Sequence, residues 1–339
     1  MLLIKSGIII LVSLLLITPI ACNNAPTPVV NAVWFGTSSG VSRYDGASWI
    51  TYNTSNSDLV SDDYVQAITI DSSGNKWFVT DSGVSRFDGA DWTTYNTSNS
   101  GLADDWISTM TIDNLGNKWF GTGSGLSKYD GKQWTTYNTS NSGLTEDYFV
   151  AIAADSMGNM WFGTAGSLSK YDGTRWTSYS FSDMDIEDYY DVIASIAIDS
   201  ADNKWCGTNF GVIKYDGATW TVYNHENSGL AGYTVRTIVV DSEDDVWFCT
   251  WHHFGALGFA TGISRYNGTD WITYNTSNSG LVSNYVFAMA IDSYNNKWFG
   301  TDSGISKYDG VNWTTYNTSN SGLADDFIYA IAIEGAGSE

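Results

Sequence analysis

Apolar residues in this chain fall in short runs, and clusters of Asp, Asn, Ser, Thr and Gly separate them at close intervals. Residues 64–71, Tyr-Val-Gln-Ala-Ile-Thr-Ile-Asp, predict a first strand that is apolar on both faces and therefore buried. Residues 76–80 predict a second strand, residues 84–87 a third and residues 92–95 a fourth. Asp71-Ser-Ser-Gly74-Asn75 follows the first and Asp88-Gly89 the third, and both are hairpin chemistry. No stretch carries a 3.6-residue apolar period long enough for a helix.

The group of four repeats along the chain. A second-strand tryptophan recurs at Trp34, Trp77, Trp119, Trp161, Trp205, Trp247 and Trp298, at intervals of 43, 42, 42, 44, 42 and 51 residues. A fourth-strand tryptophan follows each, at Trp49, Trp92, Trp134, Trp176, Trp220, Trp271 and Trp313. Four antiparallel strands in units of this length predict the blades of a β-propeller. The first unit opens on a second strand, Val33 to Thr37, and the last apolar run, Phe327 to Ile333, is a first strand with nothing after it. Joining the two completes a blade from one C-terminal and three N-terminal strands and removes the open edges. The expected architecture is all-β, a seven-bladed β-propeller over residues 32–334 with a tail at 335–339. First strands, carrying Ala67, Ala151, Ala153, Ala194, Ala288, Ala290, Ala330 and Ala332, should line the axis, where small residues let blades converge. Most of the Trp and Tyr should fill the wider gaps between blades.

Residues 67–89 read Ala-Ile-Thr-Ile-Asp-x-x-Gly-Asn-Lys-Trp-Phe-x-Thr-x-x-Gly-Val-Ser-Arg-Phe-Asp-Gly. This resembles the two-component-regulator propeller repeat, and the resemblance covers about residues 32–334. Such repeats build the extracellular sensor regions of many bacterial hybrid histidine kinases and also occur in free-standing secreted proteins. The resemblance implies a sensor-like binding scaffold. No kinase or response-regulator pattern accompanies the repeats in this sequence, so a binding or partner role is expected; a scaffold does not fix function.

Lys5 followed by the apolar run Ile8 to Ile17, too short to span a bilayer, reads as an export signal over residues 1–21. Thr18-Pro19-Ile20-Ala21-Cys22 resembles a bacterial lipobox, departing from it at Pro19. The resemblance implies lipidation of Cys22 and a polar tether over residues 22–31, anchoring the protein to the bacterial envelope or cell surface. Ordinary secretion with cleavage nearby is the alternative. Both take the chain to an oxidising compartment, where Cys206 and Cys249 lie in corresponding strands of neighbouring units. Packed sheets stand about 10 Å apart and a disulfide needs Cα atoms within about 7 Å, so two buried thiols are expected.

The 339 residues carry 15 Lys and Arg against 37 Asp and Glu, a net charge of -22, which excludes nucleic acid as a partner. Sixteen Trp and 21 Tyr exclude a disordered acidic chain. Much of the acid sits in the loops between units: Asp62-Asp63-Tyr64, Asp104-Asp105-Trp106, Glu146-Asp147-Tyr148, Glu187-Asp188-Tyr189 and Asp325-Asp326-Phe327. Gly232-Tyr233 and Asn284-Tyr285 break the pattern. Antiparallel connectivity puts these loops and the second-to-third hairpins on one end of the ring, which predicts an acidic, aromatic rim around the channel mouth. Aromatic faces stack on sugar rings and carboxylates accept hydroxyls, so a glycan is the expected ligand and a surface protein the next. In the alternative, the acids cap turns and the aromatics anchor the loops.

The copies differ most in the fourth to sixth units, above all at the insert Trp251-His252-His253-Phe254, continuing to Ala260, which lengthens one interval to 51 residues. An aromatic loop there is expected to contact ligand over the mouth. The candidate ligand-binding residues are therefore Asp62, Asp63, Tyr64, Asp104, Asp105, Trp106, Glu146, Asp147, Tyr148, Trp251, His252, His253, Phe254, Asp325 and Asp326.

His252 and His253 alternate sides of a strand, and no third His or Cys has ligand spacing, so no metal site is assigned. Calcium suits the acidic loops better, although none has an alternating carboxylate run, and no cofactor is expected. Propeller lyases of the virginiamycin B lyase type use similar Asp-x-x-Gly-Asn-x-Trp-Phe repeats and depend on His, a carboxylate and a divalent ion. With three His in the chain, two of them adjacent, that catalytic set does not carry over. A lyase or hydrolase acting near His252 and His253 stays as one rival, and a structural scaffold in an envelope complex as another. Arg43, Arg86, Lys128, Lys170, Lys214, Arg265 and Lys307, one per unit before the Tyr-Asp-Gly type turn, are expected to pair with turn or neighbouring-blade acids. A monomer is expected.

Overall fold

The computed structural model describes residues 31–61, 64–184, 192–254 and 257–335, with the backbone alone at 252–254 and 257–259. Cys22 and the candidates Asp62 and Asp63 lie outside the described residues, as does Glu187-Asp188-Tyr189. Among the described residues the strands form seven four-stranded antiparallel sheets, the blades of a β-propeller. The closure expected from the sequence is present: Ile328–Ile333 pairs antiparallel with Val33–Thr37, matching Val33 to Ile333 and Trp34 to Ala332. That sheet, completed by Gly40–Tyr44 and Trp49–Tyr52, is blade 1. Blades 2 to 7 follow in chain order. No helix among the described residues is long and apolar enough to cross a membrane.

First strands from all seven blades, such as Ala67–Ile70 of blade 2 and Thr234–Val240 of blade 6, line an axial channel of about 560 Å³. One expectation needs correction here. The first strand of blade 2 is shorter than residues 64–71, and it is half-buried rather than buried on both faces, because alternate side chains face the channel. Among the described residues the one helical piece is a short 3₁₀ turn at Phe181–Met184, which inserts Phe181 and Met184 into the core between blades 4 and 5 and leaves the all-β reading intact.

The core is a set of clusters, each centred on one second-strand tryptophan and shared with the next blade. Trp34 of blade 1 packs on Phe78 and Phe87 of blade 2, with Tyr52 stacked on its other side at 5.6 Å. Trp92, Trp134, Trp176, Trp220, Trp271, Trp313 and Trp49 pack at the edges of these clusters. Fourteen of the 16 Trp are thus accounted for by packing, each offering about 150–250 Å² to bury. Trp106 and Trp251 are the other two.

On the end away from the acidic loops, each core tryptophan donates its indole N–H to an acid at the end of the first strand. Trp77 donates to Asp71 at 3.1 Å and Trp247 to Asp241 at 3.0 Å. In blade 1 the acid is Glu334, 2.9 Å from Trp34 Nε1. Lysines of the following blade reach back to the same carboxylates: Lys76 to Glu334 at 2.7 Å, Lys118 to Asp71 at 3.4 Å, Lys204 to Asp155 at 3.6 Å and Lys297 to Asp241 at 2.9 Å. The turn after these acids needs a positive φ, which glycine meets at Gly74, Gly116 and Gly158 and which Asp202, Asp244 and Asn295 adopt elsewhere.

The once-per-blade cations meet the expected pairing in part. Lys128, Lys170, Lys214 and Lys307 stand over the rings of Trp119, Trp161, Trp205 and Trp298 at 4.8–5.3 Å. Among the described residues, Arg43, Arg86 and Arg265 are the ones that pair, with Asp45, Asp88 and Asp245. A strand side chain two positions from the turn lies above the adjacent ring face, and there a cation is attracted without losing its water contact. Cys206 and Cys249 are unpaired and buried, and burial pushes both thiols up to about 12.

Candidate functional site

The second-to-third hairpins and the blade-to-blade loops do share one end of the ring. Ser124, in the blade 3 hairpin, donates to Asp104 at 2.9 Å, and Ser39 of blade 1 donates to Asp325 at 3.2 Å. The acids have defined local partners. The second of each pair caps the preceding loop: Asp105 accepts the Thr97 amide at 2.6 Å, Asp147 that of Thr139 at 2.7 Å and Asp326 that of Thr318 at 2.7 Å. Asn284 takes the same place in blade 7, 2.8 Å from the Thr276 amide. The first of each pair accepts the amide of the following aromatic, as Asp104 does from Trp106 at 3.0 Å and Asp325 from Phe327 at 2.8 Å. Turn capping therefore describes the local geometry of Asp104, Asp105, Asp147, Asp325 and Asp326, whose remaining lone pairs still face solvent. Glu146 approaches the blade 4 hairpin at Gly166.

The loop aromatics meet in pairs across the seams. Trp106 and Tyr148 stack at 5.6 Å with planes 13° apart, while 41% and 37% exposed. Tyr64, with a φ of 114° that a bulky residue adopts only under strain, meets Tyr329 edge-on at 4.2 Å. Trp251 packs edge-on against Phe287 at 5.3 Å and Tyr285 at 5.9 Å. The insert forms no separate lid: it lengthens the central hairpin of blade 6, with Val246–Phe254 paired to Leu257–Tyr266. Trp251 pairs with Ala260 just beyond a register shift. The side chains of His252, His253 and Phe254 lie outside the described residues. Among the described residues no group of three or more His, Cys, Asp and Glu is arranged to hold a metal ion.

One ring of residues went unnoticed in the sequence. Each blade offers one side chain at the start of its first strand, next to a fully buried position: Gln66, Ser108, Val150, Ala194, Arg236, Phe287 and Tyr329. In blades 1, 3, 4, 6 and 7 this position is a β-bulge, the strand register shifting around Tyr329, Ser108, Val150, Arg236 and Phe287. A bulge re-aims a side chain, here toward the mouth. Gln66, Ser108, Arg236, Phe287 and Tyr329 line a pocket of about 260 Å³ there, together with Tyr64 and Trp251. The signal was present in the sequence: the buried neighbours are Val, Ile or Phe in every unit, while this position differs in all seven. Reading the units for repetition hid it.

Residues 143–166 match the profile of the family described as two component regulator propeller. No curated protein matches the sequence. Among solved structures, the extracellular domain of a one component system from B. thetaiotaomicron is 18% identical over 85% of this chain, with a TM-score of 0.54. This chain spans 45% of that domain's length. Virginiamycin B lyase from Staphylococcus aureus is 14% identical, with a TM-score of 0.58 over 74% of this chain and 83% of the lyase. An ancestral GH74 enzyme is 12% identical, with a TM-score of 0.58 over 89% of this chain and 40% of the enzyme. At these identities the likeness is one of fold. Within this chain the two component regulator propeller match lies on residues 143–166, the segment that leads into blade 4 and carries its first two strands.

Proposed function

We propose that this propeller is an extracytoplasmic binding module that captures a glycan at the mouth bearing the acidic-aromatic rim. The observation that carries the reading is the exposed, nearly parallel Trp106–Tyr148 stack beside a pocket lined by Tyr64, Trp251, Phe287 and Tyr329. Flat apolar faces with carboxylates and amides around them suit sugar rings, which present C–H faces and hydroxyl edges. Residues 1–21 would direct export, and lipidation at Cys22 would hold the propeller at the envelope with this mouth free to sample ligand. Solved neighbours that are extracellular domains of regulatory systems support such a location.

The test is a glycan array followed by titration of the hits. Trp106→Ala and Trp251→Ala are each expected to lower affinity about ten-fold or more, in the manner of aromatic hot spots, with unfolding midpoints near wild type. Wild-type affinity in both folded variants would overturn the rim reading. A blank array would turn the proposal toward a protein-binding scaffold, to be pursued by pull-down from envelope extracts.

A further inference from the structure

The pocket at the mouth contains one cation in a protein of net charge -22. Arg236 is exposed, stands at the bulge of the blade 6 first strand, and lies over the Trp251 ring at 5.2 Å. Among the described residues no carboxylate pairs with it, whereas Arg43, Arg86 and Arg265 each have one. Two other polar members of the ring are taken up by backbone carbonyls: Gln66 donates to that of Ile107 in the next blade, and the Ser108 hydroxyl lies between those of Gly121 in its own blade and Phe149 in the next. The guanidinium is thus the pocket's charged donor, beside the neutral hydroxyls of Tyr64 and Tyr329.

Its surroundings also depart from the rest of the rim. Blades 6 and 7 are the two whose entry loops lack the acidic pair, reading Gly232-Tyr233 and Ser283-Asn284 in place of two carboxylates. Those same blades contribute Arg236, Trp251 and Phe287. The mouth therefore has a sector without rim acids, backed by aromatic rings and centred on a guanidinium fork. Stacking on Trp251 holds that fork while leaving its N–H edge open, the arrangement suited to bidentate recognition of a carboxylate. Elsewhere the rim acids would repel an anion, so an anionic ligand has one favourable orientation.

Resting on the glycan-binding reading above, we infer that this sector is the subsite for an acidic sugar, with Arg236 binding the carboxylate of a hexuronate whose ring lies against Trp251 and Phe287. The neutral part of the ligand would then extend across the mouth toward Tyr64 and Tyr329.

The test uses a panel of paired glycans identical except that one sugar is a hexuronate or its neutral hexose, titrated into the exported protein at low and high ionic strength. The hexuronate member should bind about ten-fold or more tightly than its neutral partner, as expected for hydrogen bonds to a charged group, and salt should narrow the gap. Arg236→Ala should abolish the preference with the unfolding midpoint near wild type, and Arg236→Lys should restore part of it. A preference that persists in folded Arg236→Ala overturns the inference. Neutral and acidic members bound equally, with loss in Trp251→Ala, overturns it too and leaves the glycan reading standing. If no member binds, both fall. Binding only of peptides through a free C-terminal carboxylate would replace the sugar with a protein ligand and also overturn the inference.

Discussion

At Asp71 burial acts against the charge and would raise the carboxyl. Hydrogen bonds from Asn75 and Trp77 and the charge of Lys118 more than offset it, so the group lies below its ordinary value of 3.8. The repeat pattern Asp-x-x-Gly-Asn-Lys-Trp is therefore a local circuit in which each member satisfies another, and its reiteration says little about ligand. The cysteines show the opposite balance: burial outweighs the lowering charge of Lys204 at Cys206 and the lowering effects of Trp251, Arg236 and Val286 at Cys249, and both thiols rise to about 12. Cys206 and Cys249 should resist a thiol reagent in the native protein and react fully in denaturant. Rapid labelling of either in the folded state, counted by mass spectrometry, would contradict this packing.

Between elements, the repeated Asn-Ser-Gly-Leu linker acts as a seam. Its leucines, among them Leu102, Leu230 and Leu281, are buried, and the next backbone N–H donates to a buried third-strand serine, as from Ala103 to Ser127 at 2.9 Å and from Val282 to Ser306 at 2.9 Å. At Gly101 the fourth-strand tryptophan crosses directly over the backbone, and a Cβ there would sit 2.4 Å from Trp134 Cβ, whereas the first linker carries Asp58 at the same place. Gly101→Ala should therefore cost about 1–3 kcal/mol by overpacking, measured as a lower urea midpoint with an unchanged slope. Blade 5 shows the same rule by exception. Its entry segment lacks the linker and supplies Phe181 and Met184 instead, and the matching serine is replaced by Ile213, which packs with them.

Strand order, blade number and closure were legible in the sequence because they rest on periodic tryptophans and turn residues that recur in every unit. Strand ends were less so: Tyr64 and Gln66 continue the apolar run but leave the ladder at the mouth, where the backbone turns sharply. The site was only partly legible. Trp106, Tyr148 and Trp251 stand out as the tryptophans and tyrosine beyond the core pattern. Arg236 does not, since a lone arginine in a strand signals nothing until the ring brings it beside Trp251.

For the molecule as a whole, Glu334 is the fastening between its two ends. Burial opposes its charge, yet the hydrogen bonds from Lys76 and Trp34 hold its carboxyl below 4.5. Asp71 and Asp241 are lowered likewise, burial again being outweighed by hydrogen bonds and lysine charge. A lowered carboxylate contributes stability above its unfolded value and loses it as pH falls through the folded one. Stability should hold from neutrality to about pH 4.5 and fall below that, as these groups take up protons. Glu334→Gln should cost about 1–3 kcal/mol at neutral pH and flatten part of the acid slope in urea titrations read across this range. An unchanged midpoint and slope would mean that closure rests on the strand pairing alone.

That pairing joins strands some 300 residues apart in the chain, as Trp34 to Glu334 measures. Closing a loop of this size costs on the order of 5 kcal/mol of chain entropy before any contact across it repays the loss. Blade 1 must therefore be the last to assemble, and until then Val33–Thr37 offers an unpaired edge to any other chain. During synthesis the strand emerges first and its partner last. The time between those events is the interval in which the nascent protein is most open to aggregation, and in which a chaperone would have most to hold.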